Sequence, residues 1–114
     1  MNITLRDEIL VVCPYESKRC GKDLLNDVKG LRKAARNTCL PTESEFREML
    51  LRMVEVDNIL EPWAVQRVKK KKLRLFVVGE FLGRDPLLFH YKLTPLGWRS
   101  QRSLLDIIRK MQDG

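Results

Sequence analysis

The sequence predicts an α+β fold: three helices, then a β-hairpin that one more strand extends into a three-stranded meander, then a C-terminal helix. Three observations predict it. Apolar residues recur at helical spacing in three segments before Asp57. From Trp63 that pattern gives way to β-favouring residues, broken by Lys69-Lys70-Lys71-Lys72 and by Gly83-Arg84-Asp85-Pro86. Leu87, Phe89, Tyr91 and Leu93 then alternate at period two, and Thr94-Pro95 supplies an N-cap and a first-turn proline.

Thr4 caps the first helix, with Asp7 three residues on, and Leu5, Ile9, Leu10 and Val12 form its apolar side. Pro14 closes it, because a residue before proline avoids helical angles. Tyr15 to Gly21 reads as a polar connection. The second helix fits from about Lys22 to Arg36, with Leu24, Val28, Leu31 and Ala35 on one face. Lys22, Lys29, Arg32, Lys33 and Arg36 give it a basic exposed side. Thr42 and Glu45 form a capping box for the third helix, whose apolar stripe is Phe46, Met49, Leu50, Met53 and Val56. Asn58 suits a left-handed C-cap. The expected hairpin joins 73–82 to 87–93, and a strand at 63–68 completes the meander. Either the lysine run or the Gly83–Pro86 turn is its tip. The last helix runs from 95 to 112, with Trp98, Gln101, Leu105, Ile108 and Gln112 on one face.

A chain of 114 residues has the length of a single domain, read here as 1–114, and 44% hydrophobic residues suit a folded core. No apolar run approaches the roughly 20 residues of a membrane span. Asp7 and Glu8 precede only a short apolar run, which does not read as a secretory signal, so a cytoplasmic location is expected. Cys13, Cys20 and Cys39 read as reduced thiols; with His90 they lack the close pairs of a structural zinc site. Catalysis has little support. There is no glycine-rich phosphate loop, the carboxylates suit capping and solvation, and the single His90 reads as a surface imidazole. Neither a cofactor nor a metal is expected.

Charge is the strongest functional signal. Residues 1–60 hold 10 Lys/Arg and 10 Asp/Glu, whereas residues 61–114 hold 12 and 5, so the second half carries the whole net charge of +7. Such asymmetry points to a polyanionic partner, with nucleic acid favoured over membrane.

The element order, the segment LLRMVEVDNIL and the segment KLTPLGW together resemble winged helix-turn-helix DNA-binding proteins, many of them transcription regulators, over roughly residues 3–98. KLTPLGW is similar to their LT-x-x-G junction between the last wing strand and the final helix. Asn58 falls near a glycine of their L-x-x-L-x-x-x-G-x-I pattern. The resemblance implies that the third helix enters the major groove of duplex DNA. Thr42, Ser44, Arg47 and Arg52 would then face DNA. Arg67, Lys69, Lys70, Lys71, Lys72 and Arg74 of the wing would meet the backbone or minor groove. It also implies a homodimer through the C-terminal helix, with Trp98, Leu105 and Ile108 either forming that seam or covering the core. Glu43, Glu45, Glu48 and Glu55 depart from the pattern, since carboxylates repel phosphate. Two alternatives follow: a protein-interaction module using this acidic helix, or a non-specific nucleic-acid-binding protein.

Overall fold

A computed structural model describes residues 3–67, 74–78, 81 and 83–113, with side chains at all of them except 65–67, 74–78 and 113. In chain order the elements are α1 (Leu5–Val12), β1 (Arg19–Cys20), α2 (Gly21–Ala34), α3 (Glu43–Glu55), β2 (Leu60–Arg67), β3 (Arg74–Val78), a 3₁₀ turn (Pro86–Leu88), β4 (His90–Leu93) and α4 (Pro95–Asp113). The fold is α+β.

Local chemistry sets most helix ends. The Thr4 hydroxyl accepts the Asp7 amide at 3.2 Å, and the Asp7 carboxylate accepts the Thr4 amide at 3.4 Å, completing a capping box on α1. Thr42 accepts the Glu45 amide at 3.1 Å at the start of α3. α2 starts without a side-chain cap; instead the Gly21 amide donates to the Phe89 carbonyl at 2.8 Å. A Cβ on Gly21 would lie 2.9 Å from Leu87 Cα, so only glycine lets this helix approach the 3₁₀ turn. α2 ends in a Schellman arrangement with Arg36 at φ +58°, where Asn37 N–H reaches the Arg32 carbonyl at 2.7 Å. Asn58, at φ +55°, takes the left-handed position expected of it after α3.

The sheet differs from the expected hairpin and meander. The strand order is β1-β4-β2-β3, all pairs antiparallel. β4 pairs with β2, not with β3: Leu60 faces Leu93 and Trp63 faces His90. The second half of β2 pairs with β3, from Trp63 opposite Val78 to Arg67 opposite Arg74. β2 therefore lies between β4 and β3, and among the described residues the expected pairing of 73–82 with 87–93 is not formed. The cause lies between β3 and β4. Gly83 takes φ +79°, the Arg84 amide donates to the Phe81 carbonyl at 2.7 Å, and the Asp85 carboxylate caps the Leu87 amide at 3.0 Å. With Pro86 in its first turn, the chain winds into a 3₁₀ turn instead of entering a strand. The Gly83–Pro86 turn exists, but it delivers the chain to the other side of β2. Pro62 pairs with Tyr91 of β4. The polar connection before α2 contains the two-residue β1, which lines up Arg19 with Tyr91 and Cys20 with His90.

The core lies between the helices and one sheet face. Tyr91, Phe46, Ile9, Leu24, Leu50, Met53, Ile59 and Leu93 are buried. Tyr91 donates its hydroxyl to the Pro86 carbonyl, and burial raises its phenol pKa. Burial likewise pushes the Cys13 thiol up to about 12, so it stays protonated. The stripe read for the second helix holds at Leu24 and Val28 but leaves the core at Leu31, which is 43% exposed. In α4 Leu104 is a buried side chain, one position beside the face expected from the sequence. Gln101 donates to the carbonyls of Leu10, Val11 and Cys13 at 2.9–3.2 Å, satisfying the open C-terminal end of α1.

Candidate nucleic-acid interface

α3 packs its Phe46, Leu50 and Met53 inward, which leaves Glu43, Ser44, Glu45, Glu48, Arg52 and Glu55 exposed. Thr42 is exposed at the cap, with its hydroxyl engaged by the Glu45 amide. Arg47 is committed elsewhere. Its Nε donates to Asp85 at 2.9 Å, its terminal nitrogen reaches the other Asp85 oxygen at 3.3 Å, and the same nitrogen meets Glu43 at 3.2 Å. The Arg47 guanidinium, followed by the Leu87 amide, lowers the Asp85 carboxyl pKa. So Arg47 ties α3 to the turn before β4. Arg52 is exposed and makes no ion pair among the described residues. The outer surface of α3 is thus mainly carboxylate, with one unengaged arginine.

Arg67 and Arg74 are register partners at the far ends of β2 and β3. Their side chains, and Lys69, Lys70, Lys71 and Lys72, lie outside the described residues. The run therefore belongs to the six residues, 68–73, that connect two paired strand ends.

The basic side expected of the second helix is smaller than its sequence suggests. Arg32 turns inward and binds Glu8 through Nε and a terminal nitrogen at 2.7–3.1 Å, while its other terminal nitrogen donates to the Cys39 carbonyl at 2.7 Å. Glu8 is the buried charged residue among the described residues, 8% exposed. Arg19 pairs with Asp27 through two hydrogen bonds. Lys22, Lys33 and Arg36 are exposed.

One cluster gathers residues that the sequence reading did not bring together. The outer sheet face carries Trp63 on β2 and its register neighbour His90 on β4, with Glu61 and Lys92 paired one row over. The Lys18 ammonium lies 4.4 Å from the centre of the Trp63 ring system, and that of Lys92 lies 5.4 Å away. The indole N–H donates to Glu61 at 2.8 Å, and Glu61 also meets Lys92 at 3.8 Å. Period-two alternation in LEPWA and HYKL was the available signal: Leu60, Pro62 and Ala64 are buried, as are Tyr91 and Leu93, which turns Trp63 and Lys92 outward. Lys18 joins them only through the β1–β4 register, which sequence spacing does not reveal.

α4 carries a further exposed strip. Leu105, Ile107 and Met111 are 40%, 49% and 53% exposed, while Trp98 and Ile108 pack partly against the core. Trp98 stacks on Tyr15 and lies under Arg102. No helix among the described residues is long and apolar enough to cross a membrane. Compared with known protein families, with curated proteins and with solved structures, the chain matches none of them.

Proposed function

We propose that this chain is a DNA-binding domain of the winged-helix type, a candidate transcription regulator, that docks on duplex DNA chiefly through its basic β2–β3 hairpin. The observation that carries the reading is the register of that hairpin. It sets Arg67 opposite Arg74 and leaves four consecutive lysines in the short connection between them. Like charges brought together in this way repel one another unless solvent or an anion screens them, and a phosphate backbone is such an anion. The order of three helices, the β2–β3 hairpin and a final helix, together with the Thr94 cap of α4, supports the winged-helix assignment.

The acidic surface of α3 argues for a limited role of that helix on DNA. Thr42, Ser44 and Arg52 are the exposed groups able to meet a phosphate or a base edge. Arg47 must first leave Asp85 and Glu43 to do so. The binding expected is therefore dominated by phosphate contacts and weak in sequence preference. Titration of a labelled random duplex at two salt concentrations tests this. Affinity that falls steeply with salt is the expected result; no binding at low salt ends the reading.

A second reading has its own observation. Glu43, Glu45, Glu48 and Glu55 are all exposed on α3, beside a Val56 that is 68% exposed. Such a face suits a basic protein partner. Substituting these glutamates by glutamine would abolish that partner's binding and strengthen DNA binding. The exposed apolar strip of α4 also supports a homodimer, which mass measured against protein concentration decides.

A further inference from the structure

We infer that the outer face of the β4–β2 sheet is a second nucleic-acid surface, one that takes an unpaired strand by stacking a base on Trp63 between Lys18 and Lys92. This goes beyond duplex docking by the hairpin and does not depend on it.

The two tryptophans of the chain are used differently. Trp98 packs against the core cluster and stacks on Tyr15. Trp63 is not among the described residues that pack against that cluster; it stands on the solvent side of β2. The Trp63 ring is half-buried and faces two ammonium groups rather than the core, and nucleobases are flat π-systems that stack on such rings regardless of base identity. The indole orientation is fixed. Its N–H is held by Glu61, two residues away on the same strand.

Charge selects the occupant. Lys18 and Lys92 place ammonium groups 4.4 and 5.4 Å from the ring centre. A base that settles on the ring displaces one of these groups sideways, towards the phosphate that follows the stacked base. The one carboxylate of the cluster, Glu61, is engaged by the indole N–H and sits 3.8 Å from Lys92, which offsets its repulsion of the strand. A duplex cannot use this arrangement, because its bases are already stacked within the helix. β2 continues from Trp63 to Arg67 and so leads from this face to the basic hairpin end.

The test uses the full chain carrying Trp98→Phe, so that tryptophan emission reports Trp63 alone. An oligothymidylate of roughly 12 nucleotides, a length typical of such sites, is titrated against it. The expected result is quenching of the emission on binding. Trp63→Ala then weakens binding roughly 5- to 150-fold, the range for loss of one stacked base, whereas Trp63→Phe keeps most of it. Lys18→Gln with Lys92→Gln lowers affinity without removing the quenching at saturation. Binding that leaves Trp63 emission unchanged, equal affinity in Trp63→Ala, or no binding of the oligonucleotide overturns the inference. Unfolding curves of each variant exclude loss of fold as the cause. Quenching by the single strand in a chain that ignores duplex keeps this inference and ends the duplex reading; the opposite pair of results does the reverse.

Discussion

Gly97 is held to glycine by a backbone rather than by its own dihedral angles. A Cβ there would lie 2.1 Å from the Ile59 carbonyl oxygen and 3.0 Å from its carbon. Neither atom can move aside, because that carbonyl also accepts the Thr94 amide at 3.1 Å. Alanine in a helix is worth about 1 kcal/mol over glycine, but forced overlap costs about 1–3 kcal/mol or more. The clash wins. Gly97→Ala is expected to lose up to about 2 kcal/mol on urea unfolding, and an unchanged midpoint would refute the contact. Asp85 makes a second prediction at this scale. Arg47, and then the Leu87 amide, hold its carboxyl below its ordinary value of 3.8. A lowered carboxyl pKa stabilises the fold fully above the unfolded value, and the contribution is lost as pH falls through the folded one. The stability gap between the native chain and Asp85→Asn should therefore stay constant from about pH 7 to 5 and shrink below about pH 4. A gap that closes near neutrality would assign the effect to another group.

Elements built from contacts three or four residues apart were legible in the sequence, and those built from distant contacts were not. Thr4, Thr42 and Thr94 cap helices where their sequences say they should, because a cap involves only the next three residues. The left-handed Asn58 was readable for the same reason. The pairing of β4 with β2 was not, since it depends on a 3₁₀ turn whose alternatives differ only in tertiary packing. The inward turn of Arg32 was hidden for a related reason. Its partner Glu8 is 24 residues away on another helix. That pair anchors α1 to α2, with side-chain exposures of 17% and 10% for Arg32 and Glu8. Arg32→Met strands a largely buried carboxylate and removes the donor to the Cys39 carbonyl. Breaking a buried pair costs about 3–5 kcal/mol, and the residual exposure of Glu8 brings the expected loss to about 2–3 kcal/mol. Adding Glu8→Leu should recover part of it, because the stranded charge is then gone. A double variant less stable than Arg32→Met would show that the pair is not what the cost reflects.

Across the whole molecule, charge is divided by position in the chain. Residues 1–60 net to zero, and the excess lies from residue 61 onward, with the four consecutive lysines 69–72 as its largest share. The candidate site was only partly readable from this. The lysine run was visible as composition, while the engagement of Arg47 by Asp85 and the gathering of Lys18 and Lys92 at Trp63 needed the register of distant strands. The division has a measurable consequence. Each lysine that meets a phosphate releases about 0.9 of a counterion, which sets the slope of log affinity against log salt. Replacing Lys69, Lys70, Lys71 and Lys72 by glutamine should flatten that slope on duplex DNA by about 3 to 4 if all four contact phosphate. Affinity at low salt should fall with it, whereas the unfolding midpoint should not. The corresponding change at Lys22, Lys33 and Arg36 of the α2 side should leave the slope almost unaltered if the hairpin carries the docking. A slope that ignores the lysine run but responds to α2 would move the DNA to the helical side of the molecule and end the hairpin as the docking element.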